Sequence, residues 1–109
     1  MHELGIAQEI AEIVSERAGG AKVTRVVLEI GKLAAVLPDA VRFCFELCVE
    51  GTSLEGASLV IIETPGLARC RACGGNVTLD RPFGRCECGE TDLEWLSGEQ
   101  LKIKEFEVD

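Results

Sequence analysis

The sequence predicts an α+β fold, a small three-stranded sheet with two helices and an inserted, zinc-ribbon-like cysteine module. Three observations predict it. An N-terminal stretch carries apolar residues at spacings of three and four, three short apolar runs read as strands, and four of the six cysteines fall between Cys70 and Cys88. The 109 residues allow one compact domain, or a small domain with a smaller insert. They are too few for a typical α/β barrel or a full dinucleotide-binding fold. A hydrophobic share of 47% is that of a globular chain and argues against wholesale disorder.

Residues 3 to 18 predict an amphipathic helix, with Leu4, Ala7, Ile10, Ala11, Val14 and Ala18 on its apolar stripe. Gly19-Gly20 ends it, because glycine accepts the left-handed cap conformation. A β-branched strand follows from Val23 to Ile30, with Val26, Leu28 and Ile30 on one face and Gly31 at its end. The second helix starts near Pro38, where a missing N–H costs little, and runs to about Glu50. Its stripe is Val41, Cys44, Phe45 and Cys48, and Gly51-Thr52 stops it. Leu59 to Glu63 reads as a second strand, closed by the turn signal Pro65-Gly66. Leu101 to Val108 reads as the last strand. Its apolar residues change parity between Ile103 and Phe106, which a bulge near Lys104-Glu105 would reconcile. This strand pairs most simply with the earlier two. The division is then 1–67 with 99–109 as one domain and 68–98 as an inserted module.

The segment from Ala68 to Gly98 has few aliphatic residues and five glycines from Gly74 onward, too little apolar mass to fold unaided. Cys70-Arg71-Ala72-Cys73 and Cys86-Glu87-Cys88 form two close pairs, 12 residues apart, each followed by glycine. Two tight turns brought together supply four thiolates to a tetrahedral ion, so Cys70, Cys73, Cys86 and Cys88 point to a closed, structural Zn(II) site. Iron is the rival ion, since tetrahedral sulfur sites take either. A redox dithiol is the competing chemistry, disfavoured by the absence of a surrounding βαβ pattern. Cys44 and Cys48, four apart on a helical stripe, read as core, as do Trp95 and the four phenylalanines.

No stretch approaches the roughly 18 to 20 apolar residues of a membrane span, and Met1-His2-Glu3 opens no signal peptide. A cytoplasmic location is expected. Disulfides are rare there, which favours metal for the clustered cysteines. Nineteen acidic against eleven basic residues give a net charge of −8, which argues against nucleic acid and for a cationic partner or metal. Catalysis finds no support: the sequence has no phosphate loop and no Ser/His/Asp set.

The single histidine is His2. A lone terminal histidine is usually just solvated. Here its bulk hinders removal of the initiator methionine, so a free Met1 amine is expected. That amine, the backbone and imidazole nitrogens of His2 and the backbone nitrogen of Glu3 can surround one ion. Four nitrogens in a plane suit Ni(II) or Cu(II).

The opening Met1-His2-Glu3 resembles that of the HypA/HybF family of hydrogenase nickel-insertion accessory proteins. So do Leu28-Glu29-Ile30-Gly31-Lys32-Leu33, Phe45-Glu46, Gly51-Thr52 with Glu55-Gly56-Ala57, the paired cysteines and the run from Ser97 to Val108. The resemblance covers essentially the whole chain in order. It implies a nickel-binding α/β domain carrying a cysteine zinc domain, delivery of Ni(II) to the large subunit of [NiFe]-hydrogenase, and the GTPase HypB as partner. Some relatives also serve urease. Where the family commonly has Cys-Pro-x-Cys-Gly, this chain has Cys86-Glu87-Cys88-Gly89. A zinc-ribbon interaction module without nickel delivery is the alternative. A homo-oligomer is compatible with the sequence; no membrane or nucleic-acid partner is expected.

Overall fold

A computed structural model describes residues 2–109. The order is α1 (Glu3–Ala18), β1 (Val23–Gly31), α2 (Pro38–Cys48), β2 (Ser58–Thr64), β3 (Gly66–Cys70), β4 (Asn76–Leu79), β5 (Leu93–Ser97) and β6 (Leu101–Val108). The strands form two three-stranded sheets, β2-β1-β6 and β4-β3-β5. Residue contacts divide the chain into two compact units. The first comprises residues up to Leu28 with Val36–Ile62 and Lys102–Asp109; the second comprises Glu29–Ala35 with Glu63–Leu101. Among the described residues no helix is long and apolar enough to cross a membrane.

In the first unit, α1 and α2 pack together. Helix α1 buries Ala7, Ile10 and Val14, and Gly19 adopts the left-handed cap at φ 61°. The expected stripe narrows at its ends, because Leu4 is 50% exposed. Helix α2 buries Val41 and Phe45, while Cys44 and Cys48 are only half-buried. Strand β1 is central in its sheet, and Val26, Val27 and Leu28 are all buried. The single apolar face expected from alternation is therefore too few: a middle strand is covered on both faces here. Arg25 pairs with Glu107 at 2.8 Å across β1 and β6. Strand β6 is one run whose half-buried residues are Ile103 and Phe106, so its alternation does shift between them.

The second unit contains β3, β4 and β5, which no sequence pattern had announced. They are four or five residues long, and only register makes them a sheet. Ala68 faces Val77 on one side and Trp95 on the other, with an irregularity between Leu67 and Ala68. The core is Leu33, Ala68 and Leu79, with Val77 and Leu93 against it. Leu33 comes from the segment before α2, some 30 residues away in sequence from the rest. Three glycines let it arrive. A Cβ on Gly31 would overlap the Gly98 carbonyl oxygen, and one on Gly98 would lie 2.5 Å from Gly66 Cα. Gly98 also sits at φ 111°, and its carbonyl accepts the Leu33 N–H at 2.8 Å. Gly98→Ala combines overlap with backbone strain and is expected to destabilise by about 2–5 kcal/mol, read by urea unfolding. An unchanged midpoint would show that the crossing is loose.

Candidate metal centre

Two turns build the cysteine site. At the end of β3, the Cys70 carbonyl accepts the Gly74 N–H at 2.9 Å and the Cys70 N–H donates to the Gly75 carbonyl at 2.8 Å. The Cys73 N–H lies 3.5 Å from Cys70 Sγ, and the Gly75 N–H lies 3.4 Å from Cys73 Sγ. In the second turn the Cys86 N–H donates to the Glu90 carbonyl at 2.9 Å, and the Gly89 N–H returns to the Cys86 carbonyl at 2.8 Å. The Glu90 carboxylate accepts the Thr91 and Asp92 N–H groups at 2.8 and 3.0 Å. Gly74 and Gly89 take φ 76° and 97°, the left-handed region each turn requires. Arg71 pairs with Asp92 at 3.2 Å and ties the two turns together.

The four thiols converge. Cys70 Sγ is 3.6 Å from Cys88 Sγ, Cys73 Sγ is 3.6 Å from Cys86 Sγ, and all four sulfurs lie within 4.8 Å of one another. A tetrahedral ion with Zn–S bonds of about 2.3 Å needs sulfurs roughly 3.8 Å apart, so donor type, number and spacing fit zinc. All six cysteines are unbridged. Electrostatics favour a cation as well. The Cys73 N–H brings the Cys70 thiol down to about 7 against its burial. Cys88 is pushed up to about 12: the Glu90 N–H favours its thiolate, but hydrogen bonding with Cys70 and Cys86 outweighs this. Four thiolates packed this closely need a positive charge among them. The one-residue-shorter second pair still brings Cys88 into the cluster.

At the other end of the chain, His2 is exposed and caps α1, with φ −97° and no side-chain capping bond. Its carbonyl accepts the Ile6 N–H at 3.1 Å, while its imidazole makes no capping hydrogen bond to the helix. Glu3 opens the helix, and its carboxylate accepts the Leu37 N–H at 3.3 Å. Hydrogen bonds from its own N–H and from Leu37 hold this carboxyl below the usual range. This contact leaves no signal in the sequence, because the backbone donor lies 34 residues away from Glu3. Met1, expected to supply the amine, lies outside the described residues.

Trp95, Phe43 and Phe83, expected in the core, are 37%, 62% and 70% exposed; of the aromatic residues only Phe45 is fully buried. A helix or strand pattern cannot say which apolar residue finds a neighbour.

Fold and cysteine cluster together define a small α+β protein with a module of four converging cysteines suited to zinc. The family model described as hydrogenase/urease nickel incorporation, metallochaperone, HypA matches residues 1–108. A hydrogenase maturation factor HypA from Nostoc punctiforme is 62% identical over 109 residues, covering all of this chain and 96% of its own. The one from Geotalea uraniireducens is 46% identical, with both chains fully covered. The solution structure of the nickel metallochaperone HypA from Helicobacter pylori shares the fold, with TM-score 0.66, 24% identity and coverage of 99% and 97%. The chain belongs to the HypA family of hydrogenase-maturation nickel metallochaperones.

Proposed function

We propose that this chain binds Ni(II) at its N-terminus and delivers it to the large-subunit precursor of [NiFe]-hydrogenase in the cytoplasm, with the GTPase HypB as partner. The observation that carries the reading is the nickel-incorporation family match over residues 1–108. The donors are the Met1 amine, the backbone and imidazole nitrogens of His2 and the backbone nitrogen of Glu3. An exposed imidazole with no role in capping supports this assignment. Nickel handling falls to 1–67 with 99–109, and zinc holding to 68–98. Cys70, Cys73, Cys86 and Cys88 would hold the zinc, which supplies a structural cross-link and no chemical step.

Nickel titration of untagged protein with a free or an acetylated N-terminus tests the site. Acetylation is expected to abolish high-affinity binding. Affinity of the free form is expected to fall steeply as pH falls, because protons compete for every nitrogen in the set and the backbone donors must lose theirs. Equal affinity for the acetylated form, or a flat pH profile, would assign the ion to other groups.

The α/β domain, through α1, is assigned to the GTPase and the zinc module to the hydrogenase precursor. An acidic chain of net charge −8 favours fast, salt-sensitive association with a basic patch. Reversing the exposed Glu9 to lysine is expected to slow GTPase association about tenfold at low salt, with a smaller effect of Cys70→Ser. Loss of GTPase binding only in the zinc-free variant would reverse the surfaces.

A further inference from the structure

Phe83 is the most exposed large apolar side chain among the described residues, 70% exposed at the tip of the loop between β4 and Cys86. Water solvates a phenyl ring poorly, and the core does not cover this one. The loop that carries it is tethered at both ends. Asp80 at its start pairs with Lys32 at 3.3 Å, and Arg85 at its end donates to the Gly89 carbonyl at 3.1 Å. Pro82 restricts the backbone just before the ring. Gly84 lies so close to Leu79 that a Cβ there would come within 2.5 Å of a Leu79 methyl carbon. The Arg81 guanidinium stands 5.7 Å from the Phe83 ring centroid, within cation–π range.

An aromatic ring flanked by arginines has the composition of an interface hot spot, and the tethers at the loop ends limit the freedom that docking would remove. Its two flanking positive charges stand out on a chain of net charge −8. That overall charge disfavours anionic lipid and nucleic acid as the occupant. We infer that the Arg81–Arg85 loop is a docking knob for a client protein that offers an apolar pocket rimmed by carboxylates. The inference rests on the proposed delivery to the hydrogenase large-subunit precursor, which therefore serves as the probe.

Binding of purified precursor, purified HypB and phosphatidylglycerol vesicles is measured for the wild type, Phe83→Ala and Arg81→Glu, with zinc content and nickel affinity as controls. Both substitutions are expected to weaken precursor binding tenfold or more. Arg81→Glu should also flatten its salt dependence, while zinc, nickel and HypB binding stay unchanged. Wild-type affinity of Phe83→Ala for the precursor, a loss of HypB binding instead, or Phe83-dependent vesicle binding overturns the inference. If the wild type binds nickel through His2 but not the precursor, the knob and client delivery fail together while the nickel site stands. Phe83-dependent precursor binding without nickel at His2 leaves the knob standing and removes the N-terminal site.

Discussion

His2→Ala is expected to abolish stoichiometric, high-affinity nickel binding and to leave the fold and zinc content unchanged. His2 is the only histidine in the chain, so no other imidazole can replace its nitrogen. The loss is expected to exceed the about 10–100-fold that outer-shell changes cost at metal sites, because a direct ligand is removed. The fold is expected to tolerate the change within about 0.5 kcal/mol, since the side chain is exposed and makes no capping bond. A calorimetric nickel titration beside a urea unfolding curve separates the two effects. Retained wild-type affinity would rule out the site. A large drop in stability would mean that the imidazole serves the helix, not the ion.

Cys70→Ser or Cys88→Ser is expected to eliminate bound zinc and to loosen the cysteine module while the helical signal largely survives. The apolar cluster of the second unit is small: Leu33, Ala68 and Leu79 are its buried members, with Val77 and Leu93 partly buried against them. Such a core cannot offset the ordering of its loops, about 1–2 kcal/mol per residue. Structural zinc supplies an apparent ~10–16 kcal/mol at neutral pH in small modules, and losing one thiolate of four removes most of it. The first unit keeps its own core around Val14, Val26, Val41 and Phe45. Metal analysis, far-ultraviolet circular dichroism and amide exchange over residues 63–101 check this. If helical ellipticity disappears in step with zinc, the two parts unfold as one, and the division into 1–67 with 99–109 and 68–98 is wrong. The same logic gives the pH trend: thiolates bind the ion, so zinc is retained at neutral pH and lost as protons compete at lower pH.

Local rules made much of this protein legible. Helix α1 runs from Glu3 to Ala18 as periodicity and Gly19 predict, and Pro38 marks the first turn of α2. Both follow from interactions within a few residues, so the chain carries them wherever it folds. The cysteine spacing likewise predicted which four thiols meet, because two tight turns followed by glycine are local features. The second sheet was not legible, since β3, β4 and β5 are too short and too poor in aliphatic residues to signal without their partners. Nor was the arrival of Leu33 among Ala68 and Leu79, the Leu37 N–H on the Glu3 carboxylate, or the exposure of Phe83 and Trp95. Each depends on which distant residue arrives beside it. Local sequence sets backbone preference and the types of donor present; burial, register and long-range hydrogen bonds exist only once segments tens of residues apart have met.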